Sequence, residues 1–360
     1  YEYLYEADGR KVTDPFAACI RGREKWGRRT NASEDTSLRG VITLEEYDWE
    51  EEFPLRIPYQ ESILYQLHVR GFTKHSSSGV RHKGTFAGLQ EKIPYLKELG
   101  VNGVLLLPCY EFDEIQSRQT QALGRPQNVP ETVRQSTVHS SIDEKNTPVR
   151  INYWGYGGSH TFYMAPKASY ASDPLHPVHE MKDMIHAMHQ AGIEVLLDIY
   201  FSPGMNVWDM SDCLRRWILE YHIDGFRVNQ EVIPSLNLVS DPVLSGVKIL
   251  ASYWDEQVMG QAGILRQENA LAEYNEGFMN TARRFLKSDE GQVEAFANCF
   301  RRNPSSHAVI NFMTYVNGFT MMDLVSYDVK HNDENGEMNQ DGTQYNYSWN
   351  CGVEGKTRKK

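Results

Sequence analysis

Paired cysteines, long apolar runs and an excess of positive charge are all missing from this chain of 360 residues. Its five cysteines, Cys19, Cys109, Cys213, Cys299 and Cys351, are odd in number, widely spaced and never in a C-x-x-C pair. That pattern argues against a disulfide framework or a zinc site and fits the reduced thiols of a cytoplasmic protein. No stretch approaches the roughly 18–20 consecutive apolar residues of a membrane helix, and no charged-then-apolar leader opens the sequence. Lys and Arg number 37 against 48 Asp and Glu, a formal charge of −11, which argues against nucleic acid or an anionic membrane as the main partner.

What is present is ordinary material for a folded protein: 40% hydrophobic and 24% charged residues, enough for a large core. The length suits one large α/β domain or a domain with a smaller appendage. Twenty tyrosines and seven tryptophans allow either sugar-stacking surfaces or a tyrosine-rich core, and composition does not choose. The chain begins at Tyr1 rather than Met and closes on Lys356, Arg358, Lys359 and Lys360, as expected of an excerpt from a longer protein.

Tyr1 to Gly9 alternates aromatic and acidic residues and ends in Asp8-Gly9, a strand entering a turn. Residues 10–55 are expected to complete the tail of a small β-domain and a linker. From Ser62 the rhythm becomes strand, helix, strand. Ser62 to Gly71 predicts a buried strand; Thr85 to Leu99 carries Phe86, Leu89, Ile93, Leu96 and Leu99 on one helical face, closed by Gly100. Val101 to Pro108 and Gly192 to Phe201 are the continuous apolar runs of parallel strands covered on both sides. Helices are predicted from about Val178 to Gln190 and Ser211 to Tyr221, and further strands at Asp224–Val228, Val247–Ala251 and Ala308–Met313. Alternation of this kind points to a parallel sheet, open or closed into a barrel. The polar segment 111–150 is expected to be a long surface loop or insertion.

A set of short motifs, in order, then carries a resemblance. Leu67-His-Val-Arg-Gly-Phe-Thr73, Gly84-Thr-Phe-Ala-Gly88, Asn152-Tyr-Trp-Gly-Tyr156, Phe162-Tyr-Met-Ala-Pro166, Asp224-Gly-Phe-Arg227, Gly318-Phe-Thr320, Asp323-Leu-Val-Ser-Tyr327 and Ser348-Trp-Asn-Cys-Gly352 resemble glycoside hydrolase family 13, the α-amylase family, in its pullulanase, isoamylase and glycogen-debranching branch. The match runs from about residue 56 to the end. Residues 1–26 are similar to the tail of the starch-binding β-sandwich that precedes the barrel in that branch. The resemblance implies a (β/α)8 TIM barrel over 56–360, with its site at the C-terminal ends of the strands, preceded by a β-domain tail and linker over 1–55. The family's strand-8 segment is not found, so the barrel is expected to stop one strand short.

The same resemblance assigns chemistry to positions where this chain departs from it. Retaining glycosidases need two carboxyl groups about 5–5.5 Å apart. Asn229 stands at the nucleophile position, Ser252 at the acid/base position, and Asn317, preceded by Val316, at the transition-state carboxylate. After strand 3, Asp198 survives but Ser202 and Pro203 replace the family's Asn and His, and the loop that follows is short. Asp198, Arg227, Trp154 and Tyr156 keep the family types and are the expected substrate contacts. The implied function is a catalytically inactive debranching-enzyme homologue that still binds α-glucan such as glycogen, starch or pullulan, with no cofactor. Two alternatives stand beside it: an active α-glucan hydrolase using displaced carboxylates, Glu231, Asp255 or Glu256, and a protein-interaction scaffold with a vestigial pocket.

Each of these residues also has a plainer reading. Arg227 can simply pair with Asp198, and Trp154 and Tyr156 can fill the barrel mouth. Glu231, Asp255 and Glu256 fit solvent-exposed or helix-start positions. His176, His179, His186 and His189 have helical spacing but lack a third ligand, Asp333, Glu334 and Glu337 lack a calcium-loop pattern, and Gly155, Gly157 and Gly158 lack the strand-then-helix setting of a dinucleotide loop.

Overall fold

The computed structural model describes residues 1–27, 38–43, 46–50, 52–116, 137–142, 148–157, 160–255, 257, 270–304, 306–316, 318–333, 339–355 and 357–358. The N-terminal part holds strands β1 (Glu2–Tyr3), β2 (Tyr5–Ala7), β3 (Arg10–Val12), β4 (Ile20–Arg21) and β5 (Arg39–Val41). β2 and β3 form a hairpin across Asp8 and Gly9, both at positive φ, as a two-residue turn requires. β1, β5 and β4 make a separate antiparallel sheet.

The main body is a seven-stranded parallel sheet in chain order: β6 (Leu64–Leu67), β7 (Gly103–Leu106), β13 (Glu194–Ile199), β14 (Gly225–Val228), β15 (Lys248–Ala251), β16 (Leu271–Tyr274) and β17 (Ala308–Ile310). Among the described residues β6 and β17 are the sheet's two edges. Among the described residues this is a curled seven-stranded half-barrel, a truncated (β/α) barrel, with a β-rich region before it. The helices are α1 (Val69–Lys74), α2 (Phe86–Gln90), α3 (Ile93–Glu98), α4 (Pro177–Gln190), α5 (Val207–Tyr221), α6 (Ser235–Ser240), α7 (Glu276–Leu286), α8 (Gln292–Phe300) and α9 (Met321–Leu324).

Strand periodicity divides the side chains into two cores. Val104, Leu106, Val195, Leu197, Ile199 and Phe226 point outward and pack with Met181, Met184, Ile185 and Met188, the apolar stripe of α4, and with Leu214, Trp217 and Tyr221 of α5. The alternate residues Leu105, Leu196, Leu250 and Ala272 fill the inside of the barrel. Charge enters the same inner layer lower down, where Lys248 Nζ pairs with Glu194 and donates to the Ile57 carbonyl at 2.5 Å. Gly225 makes room for it: a Cβ there would lie 2.4 Å from the Lys248 carbonyl oxygen.

Several expected elements change. The strand predicted over Ser62–Gly71 ends at Leu67, because His68 turns the chain and its Nδ1 accepts from the Gly71 N–H, capping α1. The single helix predicted over Thr85–Leu99 is two, α2 and α3, with Pro94 in the first turn of the second; a proline there cannot continue the preceding helix. Segment 111–150 is not a featureless loop. Its described parts contain β8 (Tyr110–Glu111), β9 (Ile115–Gln116), β10 (Thr137–Ile142) and β11 (Pro148–Asn152); β11 pairs with both β9 and β10, and β8 pairs with β12 (Phe162–Pro166). The expectation had no strand at Leu271–Tyr274, which supplies the sixth barrel strand.

The N-terminal part packs on the barrel. Trp26 stacks on Tyr170 at 5.6 Å and meets the edges of His68 and Phe112. Fully buried Lys167 pairs with Glu111 at 3.0 Å and Glu114 at 2.8 Å, so this charge stays inside only because two carboxylates surround it.

Candidate functional site

At the C-terminal ends of β13 to β16, the inward positions are Asp198, Arg227, Asn229, Ser252 and Tyr274. Parallel register places Asp198 beside Arg227 and Arg227 beside Leu250. The resulting hydrogen bonds form a closed knot. Tyr156 Oη donates to Asp198 Oδ2 at 2.5 Å, and Arg227 Nη1 donates to the same oxygen at 2.8 Å. The Arg227 guanidinium also lies over the Tyr274 ring, 5.5 Å from its centroid. Burial works against its charge, yet Asp198, Tyr315, Tyr156 and Tyr274 hold Arg227 well above arginine's ordinary value. Burial, and then the Asp198 charge, push the Tyr156 phenol well up, so it stays a hydrogen-bond donor.

Asn229 is engaged differently. Its Oδ1 accepts from the Phe201 N–H and its Nδ2 donates to the Phe201 carbonyl, both at 2.9 Å. A primary amide offers one acceptor and two donors on adjacent atoms, so it can imitate a strand neighbour and extend the β13–β14 ladder past Val228. A carboxylate at this position could accept from the N–H but would have nothing to offer the carbonyl.

Ser252 is exposed immediately after β15 and lines a cleft of about 780 Å³ together with Glu231, Tyr274, Asn275, Glu276 and Arg301. Asn275 caps α7, accepting from the Phe278 N–H at 3.1 Å, which fixes Glu276 in the first turn, where a negative charge suits the helix dipole. Below it Glu273 is buried and paired with Arg302 at 2.5 Å and His307 at 3.1 Å. The cleft thus offers an aromatic ring, two carboxylates, amides and a guanidinium, a lining suited to a hydroxyl-rich ligand.

Of the expected contacts, Tyr156, Asp198 and Arg227 come together in one knot. Trp154 stands apart from it, edge-on to His68 at 5.8 Å and Tyr153 at 5.4 Å. His68 is buried under these rings with Nδ1 accepting from Gly71, which leaves Nε2–H to donate to the Tyr153 carbonyl at 2.9 Å. Burial lowers it to about 4, a neutral imidazole. Asp255 is exposed and does not line the cleft; Glu231 does. Asn317, Glu256, Gly158, Glu334 and Glu337 lie outside the described residues. Glu276 escaped sequence reasoning, although its place one residue after an N-cap asparagine was a usable signal.

No family model matches the chain. It is 29% identical over 438 residues to chloroplastic isoamylase 1 of Oryza sativa subsp. japonica, covering 96% of this chain and 51% of that protein. It is 30% identical over 443 residues to the glycogen operon protein GlgX homolog of Haemophilus influenzae, covering 99% and 62%. The fold matches the pullulanase from Anoxybacillus sp. LM18-11, solved with maltotetraose, at a TM-score of 0.57 and 20% identity, over 87% of this chain and 52% of that one. Its homologues are debranching enzymes of glycoside hydrolase family 13. Within the family its relatives are the isoamylase, glycogen-debranching and pullulanase enzymes. The chain spans about half the length of the curated isoamylases it matches. Alignments of 438 and 443 positions against 360 residues also mean that these family 13 relatives carry internal segments this chain lacks. The described helices include none long and apolar enough to cross a membrane.

Proposed function

We propose that this family 13 barrel binds α-glucan of the glycogen, starch or pullulan type and does not hydrolyse it. The observation that carries the reading is Asn229. At the position that the resemblance assigns to the nucleophile, the side chain is an amide, and both of its polar atoms are engaged by the Phe201 backbone. Loss of the nucleophile alone removes orders of magnitude of rate, leaving binding and orientation. Ser252, at the assigned acid/base position, has a hydroxyl that cannot protonate a leaving oxygen as a carboxylic acid does. Tyr274 and the polar rim of the 780 Å³ cleft are then the glucan contacts, with the Asp198–Arg227–Tyr156 knot as the rigid wall behind them. An open cleft of this size speaks against a vestigial pocket serving only as a scaffold.

A second reading has its own observation: Glu231 and Glu276 line the same cleft and could act as a displaced pair. One experiment separates the two. The full chain is incubated with pullulan and with glycogen, and both reducing ends and retention on a glycogen-containing gel are followed, beside the Glu231→Gln/Glu276→Gln variant. Retention without reducing ends is the expected result. Reducing ends that disappear in the double variant would establish the second reading, and absence of retention would remove glucan binding.

A further inference from the structure

Away from the cleft, and sharing no residue with it, a cavity of about 360 Å³ lies where the N-terminal strands meet α4 and α5. Its walls include the rings of Tyr3, Phe16 and Tyr47, and its cations are Lys182 and Arg216. Lys182 is half-buried, with Nζ 5.1 Å from the Tyr221 ring, 5.6 Å from Tyr47 and 6.0 Å from Trp49. Among the described residues no carboxylate is within ion-pairing distance of it. Arg216 gives one Nη to Glu220 at 2.7 Å, while its buried Nε has no acceptor. Asp14 accepts from Tyr3 Oη at 2.6 Å and Asp183 from Tyr47 Oη at 2.8 Å, which fixes those two rings in the cavity wall. Glu220, which lines the cavity, is already paired with Arg216, so among the described lining residues Lys182 is the cation left without a carboxylate partner.

We propose that this cavity binds a small anionic sugar, its phosphate or carboxylate held by Lys182 and Arg216 and its ring laid against Tyr3, Phe16 and Tyr47. A lysine held by aromatic rings rather than by a carboxylate remains available to an anion. The Arg216 guanidinium, held in place by its bond to Glu220, adds a second cation beside the same oxygens. The volume admits a monosaccharide and falls at the lower end of small-molecule pockets. The site is independent of whether the family 13 cleft retains glucan.

Calorimetric titration of the full chain with glucose 6-phosphate, glucuronate, inorganic phosphate and glucose tests this, with intrinsic tryptophan fluorescence as a second readout. Saturable binding of glucose 6-phosphate or glucuronate is expected, whichever is tighter naming the anion, with glucose and inorganic phosphate each weaker by about tenfold or more, the loss of one charge-assisted contact. Lys182→Gln should weaken the anionic sugar by about tenfold and Lys182→Arg should retain it. Arg216→Gln serves as the independent variant, and unchanged thermal melting shows that each variant folds. No binding of either anionic sugar, equal binding of inorganic phosphate, or undiminished binding by folded Lys182→Gln and Arg216→Gln would each overturn the proposal.

Discussion

The side chain of Asn229 and the backbone of Phe201 exchange two hydrogen bonds of 2.9 Å, tying the end of β14 to the chain leaving β13. The amide is part of the sheet rather than of an open pocket, and this gives the residue a structural reason to be asparagine.

Asn229→Asp is therefore expected to destabilise the protein. The carboxylate would face the Phe201 carbonyl with no donor, leaving a buried acceptor unsatisfied at a cost of about 1–3 kcal/mol. Urea unfolding measures the loss; an unchanged midpoint would mean that the amide pair contributes nothing. The substitution alone should not release reducing ends from pullulan, because Ser252 still stands at the assigned acid position.

Asp198→Ala should cost more. It removes the partner of a buried guanidinium, and breaking such a pair costs about 3–5 kcal/mol. Tyr156→Phe removes only a donor to Asp198 and should cost about 1 kcal/mol. If the two variants melt alike, Arg227 has found another partner and the knot is not the unit described.

Tyr274→Ala should weaken retention on glycogen gels by several-fold, since stacking on aromatic rings contributes about 1 kcal/mol or more. It also uncovers one face of Arg227, so retention is to be compared with that of Tyr274→Phe, which keeps the ring. Loss of retention in both variants would point to the hydroxyl instead.

Two buried histidines give stability opposite dependences on pH. His68 is lowered to about 4 by burial, so the unfolded chain binds more protons between about pH 4 and 6.5. Its contribution, of order 3 kcal/mol, is complete above pH 6.5 and is lost as pH falls towards 4. His189 is the reverse. Burial opposes its charge, but its bonds to Asp224 and to Glu52 outweigh burial and raise it above 6.5. Its contribution is complete below pH 6.5 and is lost as pH rises through the folded value. Glu52 also faces His186 at 3.1 Å and His222 at 3.8 Å, so the linker is held to α4 by this cluster. Unfolding measured from pH 5 to 8.5 should show Glu52→Gln losing most stability at the acid end and little at the alkaline end. A uniform loss would show that the cluster acts by packing rather than by charge.

Most of the barrel was legible because a doubly covered strand is dominated by apolar residues, as at Val101–Pro108 and at Gly192–Phe201, whose length carries it past Glu194 and Asp198. Leu271–Tyr274 was not, because it is only four residues long and one of them is Glu273, whose neighbours Arg302 and His307 are remote in sequence. The strands within 111–150 were hidden for a related reason. Their partners include β12 and one another across long stretches of chain, and local polarity says nothing about such pairings. His68 looked like strand and is a helix cap, a role set by the reach of its ring to Gly71.

By itself the sequence determined the resemblance to family 13, most of the barrel strands and the residue types at the strand ends, since these depend on local pattern and ordered motifs. Only the tertiary structure decided what those residues do to one another. Parallel register brings Asp198 under Arg227, closure of the strand ends brings Phe201 to Asn229, and the N-terminal strands meet α4 and α5 around Lys182. Each of these contacts joins residues from separate elements, and hydrogen bonds and ion pairs form only when folding has fixed both partners to within a fraction of an ångström.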